Sequence, residues 1–241
     1  MYGMKEFIKK ALKSYALGKM IYPFIQRSYQ MVALPLKRRR LQSYGGVVLH
    51  RLHTLLSNAK IDYYADWGSL LGIVREGGFI RHDDDIDLTI VDKNVNPRLL
   101  LKLLLEHEFH FIHAIEIDKR LVEFSVSWKK LSIDFFFRIP VEQDGMVGIC
   151  DVYYNPNIQY ENPNQNNYRV WYFAEEVSTK IIDFKGGDVR IPENPESILE
   201  FEYGSDWRSP ISGWVSNELK GRFKEKDGYA IRITNLKEVF V

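Results

Sequence analysis

Cysteine occurs once in the 241 residues, at Cys150, which excludes an internal disulfide framework and any cysteine-rich zinc site. No apolar run reaches the roughly 20 residues of a membrane-spanning helix, and no hydrophobic stretch leads into a small-residue cleavage site of the secretory kind. A cytoplasmic protein is the expectation. Sixteen glycines, nine prolines and no internal repeat leave nothing collagenous or low-complexity. With 45% hydrophobic and 27% charged residues, the chain can bury a sizeable core. At about 150 residues per domain, we expect a basic helical extension over residues 1–45 and a single body over residues 46–241.

Acidic residues are almost missing from the start of the chain. Residues 1–44 hold ten Lys/Arg against Glu6 alone, a net charge of +9, so the remainder carries −8 of the overall +1. An amphipathic start with Phe7, Ile8, Leu12 and Tyr15 among lysines can lie on an anionic bilayer, and the KRRR run at residues 37–40 can strengthen the hold. A solvated helix packed on the body is the other reading. Peripheral contact with the inner face of a membrane through residues 1–44 is therefore one expectation. Nucleic acid is not an expected partner, because the body is acidic and holds no recognisable nucleic-acid module.

Hydrophobic spacing predicts a helix over residues 46–58 and a strand over residues 61–65. A brief apolar helix over residues 70–75 closes at Gly77-Gly78, which suit the left-handed cap. A β-rich run covers residues 86–91, and a leucine-rich helix follows Pro97 to about residue 108. Strands are predicted near residues 110–117, 120–128 and 131–139. Residues 153–168 (YYNPNIQYENPNQNNY) read as a long surface loop. A hairpin over residues 181–191 turns at Gly186-Gly187, and a helix over residues 194–203 is capped by Gly204. These elements make an α+β fold, a mixed β-sheet with helices packed on one face.

Chemistry concentrates in residues 66–90, DWGSLLGIVREGGFIRHDDDIDLTI. Side chains of a strand alternate between faces, so Asp85, Asp87 and Thr89 share one face while Ile86, Leu88 and Ile90 share the other. Paired carboxylates repel unless a divalent cation or a shared proton compensates. Oxygen-only ligation suits Mg²⁺ or Mn²⁺. Asp134 lies inside the apolar run LSIDFFF, where a buried carboxylate needs a partner, and it can complete a three-carboxylate metal site. Gly68-Ser69 opens a helix whose free N–H groups can receive a phosphate, and Arg75 further along can clamp a second.

Gly68-Ser69, the strand Asp85-Ile86-Asp87-Leu88 and the later Asp134 together resemble the pattern of the DNA polymerase beta-type nucleotidyltransferase superfamily. More narrowly, GSLLGIVREGGFIRHDDDID at residues 68–87 is similar to the signature of the LicD family, which includes bacterial phosphocholine transferases and is related to fukutin and fukutin-related protein. IPENPESILEFEYGSDWRSP at residues 191–210 resembles that family's C-terminal pattern. The resemblance implies a nucleotidyltransferase-type fold and a LicD-type catalytic domain over residues 46–241. It further implies transfer of phosphocholine or a polyol phosphate from a CDP-linked donor to a hydroxyl of a cell-surface glycan, free or lipid-linked. Asp85, Asp87 and Asp134 would be catalytic and hold Mg²⁺ or Mn²⁺. Gly68, Ser69, Arg75, His82, Asp83 and Asp84 would bind substrate. Arg81-His82 stands where many members carry Pro-Trp, a change of size and charge beside the metal site.

Two other readings use the same residues. A nucleotidyltransferase attaching a nucleoside monophosphate to a small molecule or protein needs the same carboxylates, and an inactive scaffold could retain the fold. A quaternary-ammonium headgroup calls for an aromatic cage, with Tyr63, Tyr64, Trp67, Tyr153, Tyr154, Trp171, Tyr172 and Trp207 as candidates. His107, His110 and His113 lack the HExxH spacing of a zinc-protease helix and read as structural, as does Cys150.

Overall fold

Leu41, Val48, Leu49, Leu52 and Leu56 recur at helical spacing and are all buried, forming the inner stripe of α1 (Leu34–Asn58). A computed structural model describes residues 29–155, 158–211 and 222–241. The amphipathic start of the chain, with Phe7, Ile8, Leu12 and Tyr15, lies outside the described residues. A π-helical turn, Tyr29–Ala33, leads into α1, which begins twelve residues before the predicted start and runs unbroken through Gly45 and Gly46. Gly45 is needed for packing, because a Cβ there would come within 2.4 Å of the Phe79 ring. Among the described residues, no helix is long and apolar enough to cross a membrane.

The architecture is α+β, as the hydrophobic patterning predicts. After β1 (Tyr63–Ala65) come α2 (Trp67–Leu71), a π-helical turn at Gly72–Glu76, β2 (Asp85–Ile90), α3 (Pro97–Glu106), β3 (His110–Ile117), β4 (Arg120–Trp128) and β5 (Leu131–Phe137). Then follow β6 (Ile139–Pro140), β7 (Met146–Tyr153), β8 (Gln165–Ala174), the hairpin β9 (Thr179–Asp183) and β10 (Asp188–Pro192), and α4 (Pro195–Tyr203). The chain closes with β11 (Phe223–Glu225), β12 (Ala230–Ile233) and α5 (Leu236–Val239). The main sheet has the order β1-β2-β5-β4-β3-β12-β8-β7-β6, with β11 also on β8. Among the described residues every pairing is antiparallel except β2 with β5.

That one parallel pair needs a long return, since parallel neighbours cannot be joined by a tight turn. The return runs through α3, β3 and β4. Asn96 caps α3 by accepting from the N–H of Arg98 at 2.9 Å, and Pro97 fills the first helical position. β3–β4 and β4–β5 are joined by two-residue turns with both central residues left-handed, Asp118 (φ 49°) with Lys119 (φ 64°), and Lys129 (φ 48°) with Lys130 (φ 64°). Such turns match the twist of the strands they connect. Helix α1 packs on β2 and β5, and α3 on β3 and β4.

Two sequence expectations change. The loop predicted over residues 153–168 is shorter, because β8 begins at Gln165 and pairs with β7 and β12. The short β12, which the patterning did not announce, inserts between β3 and β8 and joins the two halves of the sheet.

Candidate active site

The carboxylates meet because the parallel register of β2 and β5 sets Asp87 beside Asp134 and Asp85 beside Ser132. Ile86, Leu88 and Ile90 of β2 and Ile133, Phe135 and Phe137 of β5 are buried in the core, so alternation sends Asp85, Asp87 and Asp134 to the other face. Backbone contacts bring α2 to the same place. The Asp66 N–H donates to the Asp87 carbonyl at 3.0 Å, the Asp66 carboxylate accepts from the Thr89 hydroxyl, and Ser69 Oγ accepts from the Asp87 N–H at 2.9 Å.

Crowding of like charge dominates the electrostatics. Burial pushes the Asp85 carboxyl well above its ordinary range, and Asp134, Asp83 and Asp84 push it further against the pull of Lys37. Burial raises Asp87 as strongly, with Asp85, Asp83 and Asp134 adding to it. Asp134 is raised by burial and by Glu123, opposed by a hydrogen bond from Ser125. Asp83 is raised by burial, partly offset by the Asp84 N–H. Asp134 Oδ1 is buried without a hydrogen-bond partner. An oxygen-only cluster of this kind fits a divalent cation such as Mg²⁺ or Mn²⁺.

Asp83, Asp84 and Asp85 offer oxygens within 4.8 Å of one another, but Asp84 Oδ2 is already held by Lys37 Nζ at 2.7 Å. Asp83 and Asp85 thus stand together as carboxylates able to hold a cation, while Asp84 is paired with Lys37. A Cβ on Gly68 would lie 2.5 Å from Asp83 Oδ2 and 3.7 Å from Asp87 Oδ2. Glycine thus preserves, between α2 and the carboxylates, a gap that a side chain would fill.

Beside the cluster opens a cavity of about 470 Å³, lined among others by Gly68, Arg75, His82, Asp83, Tyr203 and Trp207. Ser69, Asp84, Asp85, Asp87 and Asp134 do not line it. Ser69 is buried with its hydroxyl on β2, so it fastens α2 to the strand. Arg75 reaches across to α4's C-terminal side, donating to the Trp207 carbonyl at 3.2 Å and to Glu76 Oε1 at 2.8 Å. Of the aromatic candidates, Tyr63, Tyr64, Trp171 and Trp207 are all buried, and of these four Trp207 alone also lines the cavity.

Sequence reasoning missed three contributors. Lys37 and Arg38 belong to the basic run read either as a membrane contact or as part of a helix packed on the body, and here they pack on the body: Lys37 is buried against Asp84 and Arg38 Nε donates to the His82 carbonyl at 2.9 Å. Glu202 of α4 is fully buried, and burial with the nearby Asp66 charge raises its carboxyl well above the usual range. Its only signal was its place in the segment at residues 191–210.

Residues 60–194 match the LicD/FKTN/FKRP nucleotidyltransferase domain. Uncharacterized proteins of Rickettsia prowazekii (strain Madrid E) and Rickettsia typhi (strain ATCC VR-144 / Wilmington) are each 34% identical over 85 residues, 32% of this chain. The chain spans about a third of the length of these curated relatives, 32% and 28% respectively. The domain match covers more than half of the sequence and contains the whole acidic cluster, and the chain belongs to the LicD/FKTN/FKRP family.

Proposed function

We propose that the protein moves a phosphorylated headgroup, phosphocholine or a polyol phosphate, from a CDP-linked donor to a hydroxyl of a cell-surface glycan, free or lipid-linked. The observation that carries this reading is the register of Asp87 against Asp134, which with Asp85 and Asp83 gathers mutually repelling carboxylates beside a cavity. Asp83, Asp85, Asp87 and Asp134 would hold Mg²⁺ or Mn²⁺. Such an ion supplies charge neutralisation for the donor diphosphate and lowers the pKa of a bound hydroxyl.

The chain's own residues account for the rest. Phosphoryl transfer depends mainly on positioning and on charge stabilisation. The acceptor oxygen forms a bond to the headgroup phosphorus, the bond from that phosphorus to CMP breaks, and Asp134 takes the hydroxyl proton. Gly68 lets the donor approach the backbone of α2, and Arg75 and His82 line the space for its phosphates and headgroup. Lys37 keeps Asp84 from adding a further unscreened charge. Peripheral contact with the cytoplasmic face of a membrane through residues 1–44 is part of the same proposal, supported by exposed Met31, Val32 and Leu36 ahead of Arg39 and Arg40.

A thermal-shift screen tests the reading with Mg²⁺ or Mn²⁺ and CTP, CMP, CDP-choline, CDP-glycerol, CDP-ribitol, ATP, GTP and UTP. A ligand specific to the native state raises its melting temperature. Metal-dependent stabilisation by one CDP-linked compound is expected and identifies the headgroup. A response to a nucleoside triphosphate alone would replace phosphotransfer with nucleotidyl transfer.

A further inference from the structure

Asp134 is one member of a polar row that crosses four strands. Asp87 of β2 lies beside Asp134 of β5, Asp134 beside Ser125 of β4, and Ser125 beside His113 of β3. Ser125 is fully buried and His113 is 4% exposed. Ser125 Oγ is 3.1 Å from His113 Nε2 and also hydrogen-bonds the Asp134 carboxyl. His113 Nε2 is 3.3 Å from Glu123 Oε1.

With Asp134 and Glu123 ionised, proton counting gives one consistent direction for this chain. A carboxylate only accepts, and a serine hydroxyl has one proton to give. If that proton goes to Asp134, Ser125 Oγ must accept from the imidazole, so Nε2 carries the ring proton. Glu123 Oε1, on the other side of Nε2, accepts from the same N–H. The other ring nitrogen, Nδ1, is buried without a partner. Burial, with the charge of Arg232, holds His113 down to about 3, which agrees with a neutral ring bearing a single proton.

We propose that Ser125 and His113 are positioning residues for Asp134, acting as a His113 Nε2–H to Ser125 Oγ–H to Asp134 chain that fixes the carboxylate and leaves Oδ1 for a divalent cation or the acceptor hydroxyl. The inference rests on the role given to Asp134 above. Groups that orient a metal-binding side chain typically change metal affinity or activity by about 10- to 100-fold when removed. A pair that merely fills space would act independently. A chain in which His113 works only through Ser125 makes the two losses non-additive.

Calorimetric titration of the full chain with Mn²⁺ tests this, with circular dichroism reporting the fold of each variant. Ser125→Ala and His113→Leu are each expected to weaken Mn²⁺ about tenfold, and the double variant no further than Ser125→Ala alone. His113→Gln, which keeps an N–H donor, should stay near wild type. Wild-type affinity in Ser125→Ala, or losses that multiply in the double variant, would overturn the chain. If Ser125→Ala does not fold, equal affinities for His113→Leu and His113→Gln overturn it. A wild-type protein that binds no Mn²⁺ removes the carboxylate reading itself, and this inference with it.

Discussion

Lys37 Nζ lies 2.7 Å from Asp84 Oδ2, and this contact ties α1 to the acidic loop ahead of β2. Burial alone would lower the Lys37 pKa, but the hydrogen bond and charge of Asp84 outweigh it and leave the ammonium raised and charged. Replacing Lys37 with Met leaves Asp84 beside Asp83 and Asp85 with no compensating cation. Because Asp84 keeps 24% of its side chain exposed, the cost is expected to lie between that of an exposed and a fully buried broken pair, about 2 kcal/mol. Urea denaturation checks this, and Lys37→Met/Asp84→Asn should recover part of the loss.

Local pattern and long-range pairing differ in how far they can be read from residues. The alternation in DIDLTI and LSIDFFF names the acidic face directly, and Gly77 takes the expected left-handed cap at φ 60°. That Asp134 comes beside Asp87 depends on the return through α3, β3 and β4, and no residue near either aspartate announces that register. Asn, Pro and Tyr in residues 153–168 favour turns, but partners on β7 and β12 recruit Gln165 and its successors into β8, as tertiary context overrides propensity. Lys37 looked like any lysine in a basic run, since charge spacing does not tell which side of a helix meets an acidic loop. Glu202 carries no signal of its own in the sequence, because its burial beside Asp66 depends on how α4 packs.

Gly68→Ala tests the gap between α2 and the carboxylates. The added Cβ would stand 2.5 Å from Asp83 Oδ2, so the Asp83 side chain must move. Displacement of a positioned group by about 1 Å can cost on the order of 100-fold in rate. Alanine favours a helix over glycine by about 1 kcal/mol, so stability should hold or rise while turnover falls about 10- to 100-fold. Steady-state kinetics beside thermal melts separates the two, and wild-type turnover would show that the gap has no catalytic use.

Cys150 should be inert. It is buried, and burial, aided by the Glu123 charge, pushes its thiol up to about 12. The reactive species is the thiolate, so at pH 8 the folded protein should not react with a thiol-specific disulfide reagent on the time scale of a free cysteine. The full single equivalent should appear in denaturant. Rapid labelling of the native protein would place Cys150 at an accessible site and argue against its role as core packing.

The acidic cluster should make the metal-free protein less stable as pH rises. Asp85 and Asp87 have folded pKa values raised by burial and by one another, above the unfolded value of about 3.9. Below that value both states are protonated and the crowding costs nothing. As pH climbs from about 4 towards the folded values, the unfolded chain releases protons that the folded chain retains, so stability falls. Asp87→Asn removes one of the repelling charges. Its melting temperature in EDTA should therefore exceed that of the wild type increasingly from about pH 4 to neutrality. Adding Mn²⁺ should reverse the order by stabilising only the wild type. The same variant should lose turnover with its circular dichroism unchanged. Parallel pH curves for the two proteins in EDTA, together with equal responses to Mn²⁺, would show that Asp87 is no part of a metal site.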